Sequence, residues 1–382
     1  MPWKASRPVD LKVEFIARLQ RGERMTDLCQ EFGIARKTGH KLLNRYKQLG
    51  AAGLEELSRA PKHIPHRTPE ELASAVIDER RAHPSWGPKK LKDVLEKRLG
   101  REFPSASTIG SVLTRAGLVE SRKRRSRYRS SPTGLCSAEH PNDVWCTDYK
   151  GQFRLGDQSY CYPLTVTDQF SRFILGCEGM AAISDEAARD VFEGIFREHG
   201  LPQVIRSDNG TPFASTGLAG LTKLSVYWIR LGIRQERIRP AHPEENGRHE
   251  RMHLTLKRET TRPARHNLLQ QQERFDEFVE EFNERRPHEA LGMKRPKEVH
   301  EPSPRPYPEP LAHQAYPTHD DVLSVNREGA IHLPGRGQIY LSRALADQQV
   351  GLREEDDGRW LVSFASLDLG HIELNKTFTP LA

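Results

Sequence analysis

Apolar residues in the first third of the chain recur every three or four positions, a spacing typical of amphipathic helices. In the segment VDLKVEFIARLQ, Leu11, Phe15 and Leu19 share one helix face. Two further helices are predicted after it, with Thr26 as the cap of the first and Gly33 in the tight turn before the second. Glycine suits that turn because it tolerates positive φ. The pattern predicts the order helix, helix, turn, helix.

A second set of three short helices follows the first. A T-x-x-E capping box begins at Thr68, with Pro69 at the first helical position. The next helix begins at Pro88 and ends at Gly100, and Ser107 can cap the third. Three short helices again fit a helix-turn-helix arrangement, so the sequence predicts two such units in tandem.

Charge makes nucleic acid the expected partner of these units. Residues 1–131 hold 29 Lys and Arg against 15 Asp and Glu, a balance of +14, whereas the remainder carries −7. A basic region of this kind is typical of a chain that binds a polyanion. A helix-turn-helix places the first residues of its second helix in the major groove of DNA. The predicted DNA contacts are Arg36, Lys37, Thr38, His40 and Lys41. A three-helix bundle that binds a protein is the alternative.

A run of basic residues follows the helical units. The segment SRKRRSRYRSS has no apolar period, so it is predicted to be a flexible tether that DNA phosphates neutralise. Its predicted DNA contacts are Arg122, Lys123, Arg124, Arg125, Arg127 and Arg129. A solvated linker without a defined partner is the alternative.

Strand and helix patterns alternate in the centre of the chain, which predicts an α/β sheet domain. Two short strands end in acids, at Asp148 in NDVWCTDYKGQF and at Asp208 in QVIRSDNGTPFAS, and a later helix carries Glu250. Sheets of this type gather their ligands at strand ends. Three carboxylates suffice for magnesium, which prefers hard oxygen ligands and keeps several waters. Two such ions can clamp the attacking and leaving oxygens of a phosphoryl displacement.

Other acids of this region have structural interpretations. Asp143 and Asp168 are predicted to be turn residues, and Asp185 lies in the first turn of a helix, where the helix dipole favours acids. The remaining glutamates around the helix of Glu250 are interpreted as solvated residues: Glu244, Glu245 and Glu259.

The segments VWCTDYKG, IRSDNGTPF and HPEENGRHERMHLTLKRE, in this order, resemble the three motif blocks of the retroviral-integrase-like DDE recombinases. They are most similar to the bacterial insertion-sequence DDE transposases of that superfamily, and the resemblance extends over essentially the whole chain. It implies a ribonuclease-H-like domain in which Asp148, Asp208 and Glu250 are the catalytic residues and the metal ligands. It also implies that Asn209 and Lys257 bind DNA. One departure is that 41 residues separate Asp208 from Glu250, more than is usual in the nearest groups.

The same resemblance implies two Mg²⁺ ions as cofactors, with Mn²⁺ able to substitute. The first implied partner is double-stranded DNA, both the terminal inverted repeats of a mobile element and a target. The second is further copies of the chain, in a homodimer or higher homo-oligomer within a synaptic complex. The expected activity is DNA strand cleavage and strand transfer, in the cytoplasm and associated with the nucleoid. Two alternatives remain: a DNA-binding regulator or catalytically idle relative with the same fold, and ribonuclease-H-type hydrolysis of RNA–DNA hybrids, which leaves the tandem helical units unexplained.

A proline-rich segment and a β-rich tail follow the central domain. EPSPRPYPEP has five prolines from Pro302 to Pro310 and is predicted to be a stiff extended linker. From about Asp320 the pattern alternates like short strands, which predicts a small five-stranded, SH3-like barrel. Residues 311–382 hold ten acids against six Lys and Arg, a balance that favours a protein contact, between protomers of a synaptic assembly or with another factor, over a DNA clamp.

The expected fold class is therefore multidomain: all-α helix-turn-helix units, an α/β ribonuclease-H-like catalytic domain and a small C-terminal β-barrel. The predicted boundaries are 1–58 and 59–120 for the two helix-turn-helix units, 121–140 for the basic linker, 141–300 for the catalytic domain, 301–318 for the proline-rich linker and 319–382 for the barrel. No run approaches 18 consecutive apolar residues, so no membrane span or membrane partner is predicted. Five cysteines without a C-x-x-C pair argue against a disulfide framework or a zinc site and favour an intracellular, reducing location.

Overall fold

The structure is a computed structural model that describes residues 8–56, 67–119, 134–240, 242–311, 314–335, 337–356, 358–373 and 377–381. The chain divides into two compact units, Met1–Thr68 and Pro69–Ala382. All five cysteines are free. Among the helices of the described segments, none is long and apolar enough to cross a membrane.

The first unit contains the predicted three helices, α1 (Pro8–Gln20), α2 (Met25–Glu31) and α3 (Arg36–Leu49). Gly33 lies in the turn before α3 with a φ of 63°, as predicted. The predicted cap of α2 is wrong, because the helix already begins at Met25 and Thr26 lies inside it. Phe15, Ile16 and Leu28 form the centre of a small apolar core.

The second unit begins with the other set of helices, α4 (Glu70–Ala82), α5 (Pro88–Leu99) and α6 (Ala106–Arg115). Pro88 begins α5 and Gly100 ends it in the left-handed conformation, as predicted. Two predicted caps are wrong. Pro69 is the residue before α4 and no side chain caps that helix. Ser105, not Ser107, caps α6, because its Oγ accepts the Thr108 N–H and Ser107 lies within the first turn.

A mixed six-stranded sheet forms the centre of the second unit. Its strands are β1 (Val144–Tyr149), β2 (Phe153–Arg154), β3 (Tyr160–Asp168), β4 (Ile174–Met180), β5 (Val204–Ser207) and β6 (Arg234–Arg237). The order is β2-β3-β1-β5-β6, with β4 pairing to β3. β1 is antiparallel to β3 and parallel to β5. The predicted α/β sheet domain is therefore present, with hairpin strands on one side and parallel strands on the other.

Helices cover both faces of this sheet. They are α7 (Asp185–His199), α8 (Lys223–Arg230), α9 (Gly247–Thr260) and α10 (Leu268–Glu280). The core on one face joins Trp145 and Leu175 to α7 and α8. The core on the other face joins Ile174 and Cys177 to α9 and α10. Ile174 and Leu175 point to opposite faces because side chains alternate along a strand, and a β-bulge at this point puts Cys177 on the same face as Ile174.

The two acids interpreted as turn residues have that role. Both carboxylate oxygens of buried Asp168 accept backbone N–H groups, Oδ1 from Asn142 and Oδ2 from Ser171. The carboxylate of Asp143 accepts the N–H groups of Glu139 and His140. Both side chains are therefore occupied by the backbone that turns around them.

The proline-rich segment is bound to the sheet domain along part of its length, which the prediction of a stiff linker did not anticipate. The carbonyl of Arg305 accepts the Leu201 N–H at 2.7 Å. Its guanidinium donates to the carbonyls of Pro202 at 2.6 Å and of Leu231 and Gly232 at 3.0 Å. These contacts attach the segment to the ends of α7 and α8.

In the described part of the tail there are seven strands: β7 (Asp321–Ser324), β8 (Ala330–Leu333), β9 (Gly337–Tyr340), β10 (Gln349–Asp356), β11 (Arg359–Phe364), β12 (Leu367–Ile372) and β13 (Phe378–Pro380). Five form an open sheet in the order β13-β12-β11-β10-β7, and β8 and β9 form a separate hairpin. The β-rich tail is as predicted, but closure into a five-stranded barrel is not confirmed. Its apolar core extends to Leu221 and Val226 at α8, so the tail packs on the sheet domain.

Candidate metal centre

A cluster of possible metal ligands lies where α9 crosses the end of β1. Asp148, Glu250 and His253 each offer one ligand atom, and the three atoms lie within 4.8 Å of one another. Asp148 is the fifth residue of β1, whose first three residues are buried and apolar. Glu250 lies in the first turn of α9 and is exposed. The buried strand thus brings one carboxylate to the sheet edge, and the helix brings the second toward it.

Asp208 lies on the neighbouring strand end, at the level of Asp148. The parallel strands β1 and β5 pair Cys146 with Arg206, and each aspartate lies two residues beyond its member of that pair. Asp208 is not part of the 4.8 Å cluster, and its Oδ1 accepts the Gly210 N–H at 3.1 Å. It is close enough for its charge to act on Asp148.

The carboxyl of Asp148 has a strongly perturbed acidity. Burial, the largest cause, and the negative charges of Asp208 and Glu250 together raise its pKa from 3.8 to about 7. Carboxylates that repel one another in a partly buried site favour either a proton or a cation between them. Hard oxygen donors of this kind suit a divalent ion such as Mg²⁺. The residues present therefore fit the metal that the resemblance implies.

Two buried histidines support this site from α9, and the sequence interpretation missed them. His249 and His253 are about 1% exposed, and both ring Nε2 atoms lie near Thr165 Oγ1, at 2.9 and 2.6 Å. Nδ1 of His253 has no hydrogen-bond partner among the described residues and lies 3.6 Å from Asp148 Oδ2. Burial lowers the pKa of both rings, that of His249 to about 3, so both are neutral near pH 7.

A sequence signal for His253 was present. Glu250 and His253 have the Glu-x-x-His spacing that places two metal ligands on one face of a helix. A neutral imidazole with a free nitrogen is itself a metal ligand. His253 is therefore the candidate ligand to add to the three acids, or a residue that orients Asp148.

The predicted DNA-contact residues occupy several places. Lys257 is exposed on α9, seven residues after Glu250 and about 10 Å farther along the helix. Asn209 follows Asp208, and its Nδ2 donates to the Ile238 carbonyl at 2.6 Å, which ties the loop after β5 to the end of β6. The side chains predicted on α3 are all exposed: Arg36, Lys37, Thr38, His40 and Lys41. The six predicted contacts from Arg122 to Arg129 lie outside the described residues.

The interpretation of the other glutamates as solvated is wrong for two of them. Glu245 is buried, and its carboxylate accepts from the guanidinium of Arg239 at 2.6 Å. Glu259 pairs with the buried Arg286 at 2.7 Å. Glu244 is half-buried and lies 2.8 Å from the His242 ring. The partners that hold these glutamates therefore come from outside α9, and not from the helix itself.

Comparison with known families identifies the sheet domain. Residues 138–243 and 231–296 match two family models, both described as an integrase core domain. Residues 11–62 match a helix-turn-helix domain, and residues 38–113 match a homeodomain-like domain. The chain therefore contains an integrase core and helix-turn-helix domains.

Among related proteins, an uncharacterized 39.2 kDa protein of insertion element IS476 from Xanthomonas euvesicatoria is 26% identical over 278 residues, which cover 71% of this chain and 77% of that protein. An uncharacterized 31.7 kDa protein of insertion element IS407 from Burkholderia multivorans is 24% identical over 65% of this chain and 88% of its own length. The Gag-Pol polyprotein of baboon endogenous virus is 29% identical over 51% of this chain, but the match spans only 11% of the polyprotein.

Two solved structures are also similar. The HTLV-2 integrase catalytic core domain in complex with magnesium matches 43% of this chain and 100% of its own, with 15% identity and a TM-score of 0.35. The simian T-cell lymphotropic virus intasome matches 77% of this chain, with a TM-score of 0.38. The family and relative matches together confirm the resemblance drawn from the sequence: the chain contains an integrase core and is similar to proteins of bacterial insertion elements and to retroviral polyproteins.

Proposed function

We propose that this protein is a DNA transposase that binds the ends of a mobile element and joins them to target DNA. The observation that carries the proposal is the meeting of Asp148 and Glu250, with His253, within 4.8 Å at the edge of an integrase-core sheet. Asp208 adds a third carboxylate at the end of the adjacent parallel strand. The helix-turn-helix matches at the N-terminal end supply a DNA-binding region to the same chain.

Each residue of the centre has a proposed role. Asp148, whose acidity is shifted by the charges of both other acids, would contact both of two metal ions, whereas Asp208 and Glu250 would each hold one. Bound Mg²⁺, or Mn²⁺ in its place, supplies activation of the attacking oxygen and stabilisation of the leaving oxygen in an in-line phosphoryl displacement. His253 would bind a metal ion through its free Nδ1 or orient the neighbouring Asp148 carboxylate. Neutral His249 attaches the same face of α9 to β3 through Thr167.

The remaining proposed contacts hold DNA in place. Lys257 provides a cation for a phosphate farther along α9, and the exposed polar residues of α3 provide contacts in a major groove. The domain boundaries proposed from the sequence, and assembly as a homodimer or larger synaptic complex, belong to the same proposal. Cytoplasmic, nucleoid-associated action follows from a DNA substrate.

Strand transfer tests the proposal directly. The wild-type chain is incubated with Mg²⁺, a plasmid target and duplexes that carry the pre-cleaved inverted repeats flanking its coding frame. We expect joined products from the wild type and a loss of at least about a hundredfold in Glu250→Gln, since a metal centre contributes several kcal/mol to such a reaction. The neutral isostere removes one ligand charge without changing the side-chain volume.

The matched control is Asp190→Asn, which neutralises an exposed acid on α7 far along the chain from the cluster. We expect this variant to retain wild-type joining. Undiminished joining by Glu250→Gln would show that the cluster is not catalytic. If the wild type binds the ends but never joins them, the DNA-binding regulator with an idle catalytic fold becomes the better description.

A further inference from the structure

Thr165 of β3 lies at the centre of a buried hydrogen-bond network behind the candidate metal centre. Its Oγ1 is 3.1 Å from the carbonyl oxygen of Asp148. The same oxygen is 2.9 Å from Nε2 of His249 and 2.6 Å from Nε2 of His253. Thr165 and both rings are buried. Because buried polar groups need hydrogen-bond partners, these contacts must be satisfied by the protons of the four residues themselves.

The hydroxyl proton of Thr165 decides which nitrogen of each ring carries a proton. A hydroxyl donates one hydrogen bond and can accept two. The Asp148 carbonyl can only accept, so its contact is a hydrogen bond only when Thr165 donates to it. Nε2 of His249 and Nε2 of His253 must then both donate to Thr165 Oγ1. In this arrangement alone, all three contacts are hydrogen bonds.

The same arrangement leaves a nitrogen lone pair of His253 directed at the metal centre. Both rings are neutral near pH 7 because burial lowers their pKa, so each has a lone pair at Nδ1 when Nε2 is protonated. Nδ1 of His249 accepts from Thr167 Oγ1 at 2.7 Å. Nδ1 of His253 has no hydrogen-bond partner among the described residues and faces Asp148 Oδ2 at 3.6 Å.

The distance between these two atoms fits a shared cation and not a shared proton. The 3.6 Å separation exceeds the roughly 3.2 Å upper limit of an N–H···O hydrogen bond. Imidazole nitrogen and carboxylate oxygen each bind a divalent ion at about 2.0–2.2 Å, so two such ligands of one ion lie roughly 3–4 Å apart. A ligand atom of Glu250 lies within 4.8 Å of both. The separation therefore favours the metal-ligand role of His253 over a role in orienting Asp148.

The opposite side of the His253 ring has the contact typical of a metal ligand. Histidines that bind metals usually donate their other ring N–H to a protein acceptor, which fixes the tautomer and the orientation of the ring. Thr165 is this acceptor, and its own proton is held by the Asp148 carbonyl. His249 occupies the second lone pair of the same hydroxyl. The ring of His253 is therefore oriented without help from a metal.

We propose that His253 is a nitrogen ligand of one ion of this centre, and that it makes the centre prefer a first-row transition-metal ion over Mg²⁺. Imidazole binds transition metals well, whereas Mg²⁺ prefers oxygen ligands and retains its waters. Thr165 and His249 are positioning residues, because they act through the tautomer and orientation of His253. This inference rests on the proposed function and deepens it, because it names the class of metal for the same centre.

Pulsed EPR of Mn²⁺ bound to the full chain tests the nitrogen ligand directly. The unpaired electrons of Mn²⁺ report a nitrogen nucleus that is bound to the ion. We expect this signal in wild type and its loss in His253→Asn, whose amide offers oxygen in place of an imidazole nitrogen. The control His140→Asn removes an imidazole whose side chain is 79% exposed, and it keeps the signal.

Calorimetric titration with Co²⁺ and with Mg²⁺ tests the preference. We expect wild type to bind Co²⁺ at least about a hundredfold more tightly than Mg²⁺, because a nitrogen ligand favours the later transition metal. In His253→Asn the affinity for Co²⁺ should fall by at least about tenfold, while that for Mg²⁺ stays within about twofold. The retained Mg²⁺ affinity shows that the carboxylates of the variant are still in place.

Substitutions of Thr165 test the positioning network. Thr165→Val removes the hydroxyl at similar side-chain volume, and we expect about tenfold weaker Co²⁺ binding. Thr165→Ser keeps the hydroxyl and should restore the affinity, which a purely structural role of the methyl group would not do. Nitrogen NMR of the metal-free chain, labelled at histidine, distinguishes protonated from unprotonated ring nitrogens. We expect His253 to be protonated at Nε2 in wild type and in Thr165→Ser, and to populate both tautomers in Thr165→Val.

The outcomes separate this inference from the proposed function. A wild type that binds Mn²⁺ and joins DNA ends without a nitrogen signal overturns the assignment of His253 alone. So does a preference for Co²⁺ that His253→Asn retains, or a metal-free wild type protonated at Nδ1 of His253. A wild type that binds metal through His253 but never joins ends supports this inference and contradicts the transposase proposal. A wild type that binds none of the three ions contradicts both.

Discussion

At the scale of single residues, Asp148 is the most informative side chain of the molecule. Its pKa of about 7 lies well above the ordinary value of 3.8, so the folded chain binds this proton more tightly than the unfolded chain does. Without metal, the penalty for ionising Asp148 is small at pH 4, grows as the pH rises to about 7 and is constant above that pH. Three units of pKa correspond to as much as about 4 kcal/mol.

Asp148→Asn should therefore stabilise the metal-free protein at pH 8, although it removes a candidate catalytic group. We expect a higher melting temperature than wild type at pH 8 and little difference at pH 4, measured in a chelating buffer. Mg²⁺ should raise the melting temperature of the wild type at pH 8 and have little effect on the variant, because bound metal stabilises the folded state. A variant that is less stable than wild type at pH 8 without metal would contradict this account, and Asp190→Asn is the control.

The acids of the candidate centre were predictable from the sequence, but their environment was not. Residue type and position after short buried strands indicated Asp148 and Asp208, and the motif order indicated Glu250. The Glu-x-x-His spacing of Glu250 and His253 is the sequence feature that indicates His253 as a further ligand. The partners of Glu245 and Glu259 depend on Arg239 and Arg286, which only the tertiary fold brings to them.

At the scale of elements, the start of α6 shows how a local signal can point to the wrong residue. Ser105 and Ser107 are both suitable cap residues two positions apart, and the sequence interpretation chose the second. The structure uses Ser105, whose Oγ lies 3.3 Å from the Thr108 nitrogen. Helix periodicity predicts that an element exists more firmly than it predicts its first residue, because either start leaves the buried positions unchanged.

Ser105→Ala should weaken the first turn of α6. A serine cap contributes about 1 kcal/mol, so we expect the Thr108 amide to exchange with solvent roughly fivefold faster. Ser107→Ala should leave that exchange rate close to wild type, because Ser107 does not cap the helix. Hydrogen exchange followed at single-residue resolution makes the comparison. Equal acceleration in both variants would mean that neither hydroxyl has a distinct capping role.

At the scale of the whole molecule, the long spacing between Asp208 and Glu250 acquires a structural reason. The 41 intervening residues include α8, and both Val226 of this helix and Leu221 just before it are buried in the apolar core of the tail. Leu224 and Trp228 of the same helix pack into the core of the sheet domain. The helix therefore joins two cores. The sequence of α8 alone could not indicate a packing partner about 100 residues later.

The excess of acids in the tail favoured a protein contact, and the contact found is with the chain's own sheet domain. Apolar surface, not charge, makes it: Val325, Ile331 and Leu345 belong to the same core as Val226. Among the described acids of the tail, Asp321, Glu328 and Asp347 are exposed and lie outside this core. A contact of the tail with another protein stays a prediction, separate from this contact within the chain.

Val226→Asp should release the tail from the sheet domain. Val226 is 2% exposed, and an unpaired carboxylate in that apolar core costs several kcal/mol. We expect trypsin to cut the variant rapidly after Arg327 and at later sites of the tail, whereas wild type resists at these sites. Lys223→Asp, an exposed position on the same helix, should digest like wild type. Val226→Ala gives a milder test, with an intermediate rate if cavity formation loosens the same core. Unchanged digestion of Val226→Asp would mean that α8 does not hold the tail in solution.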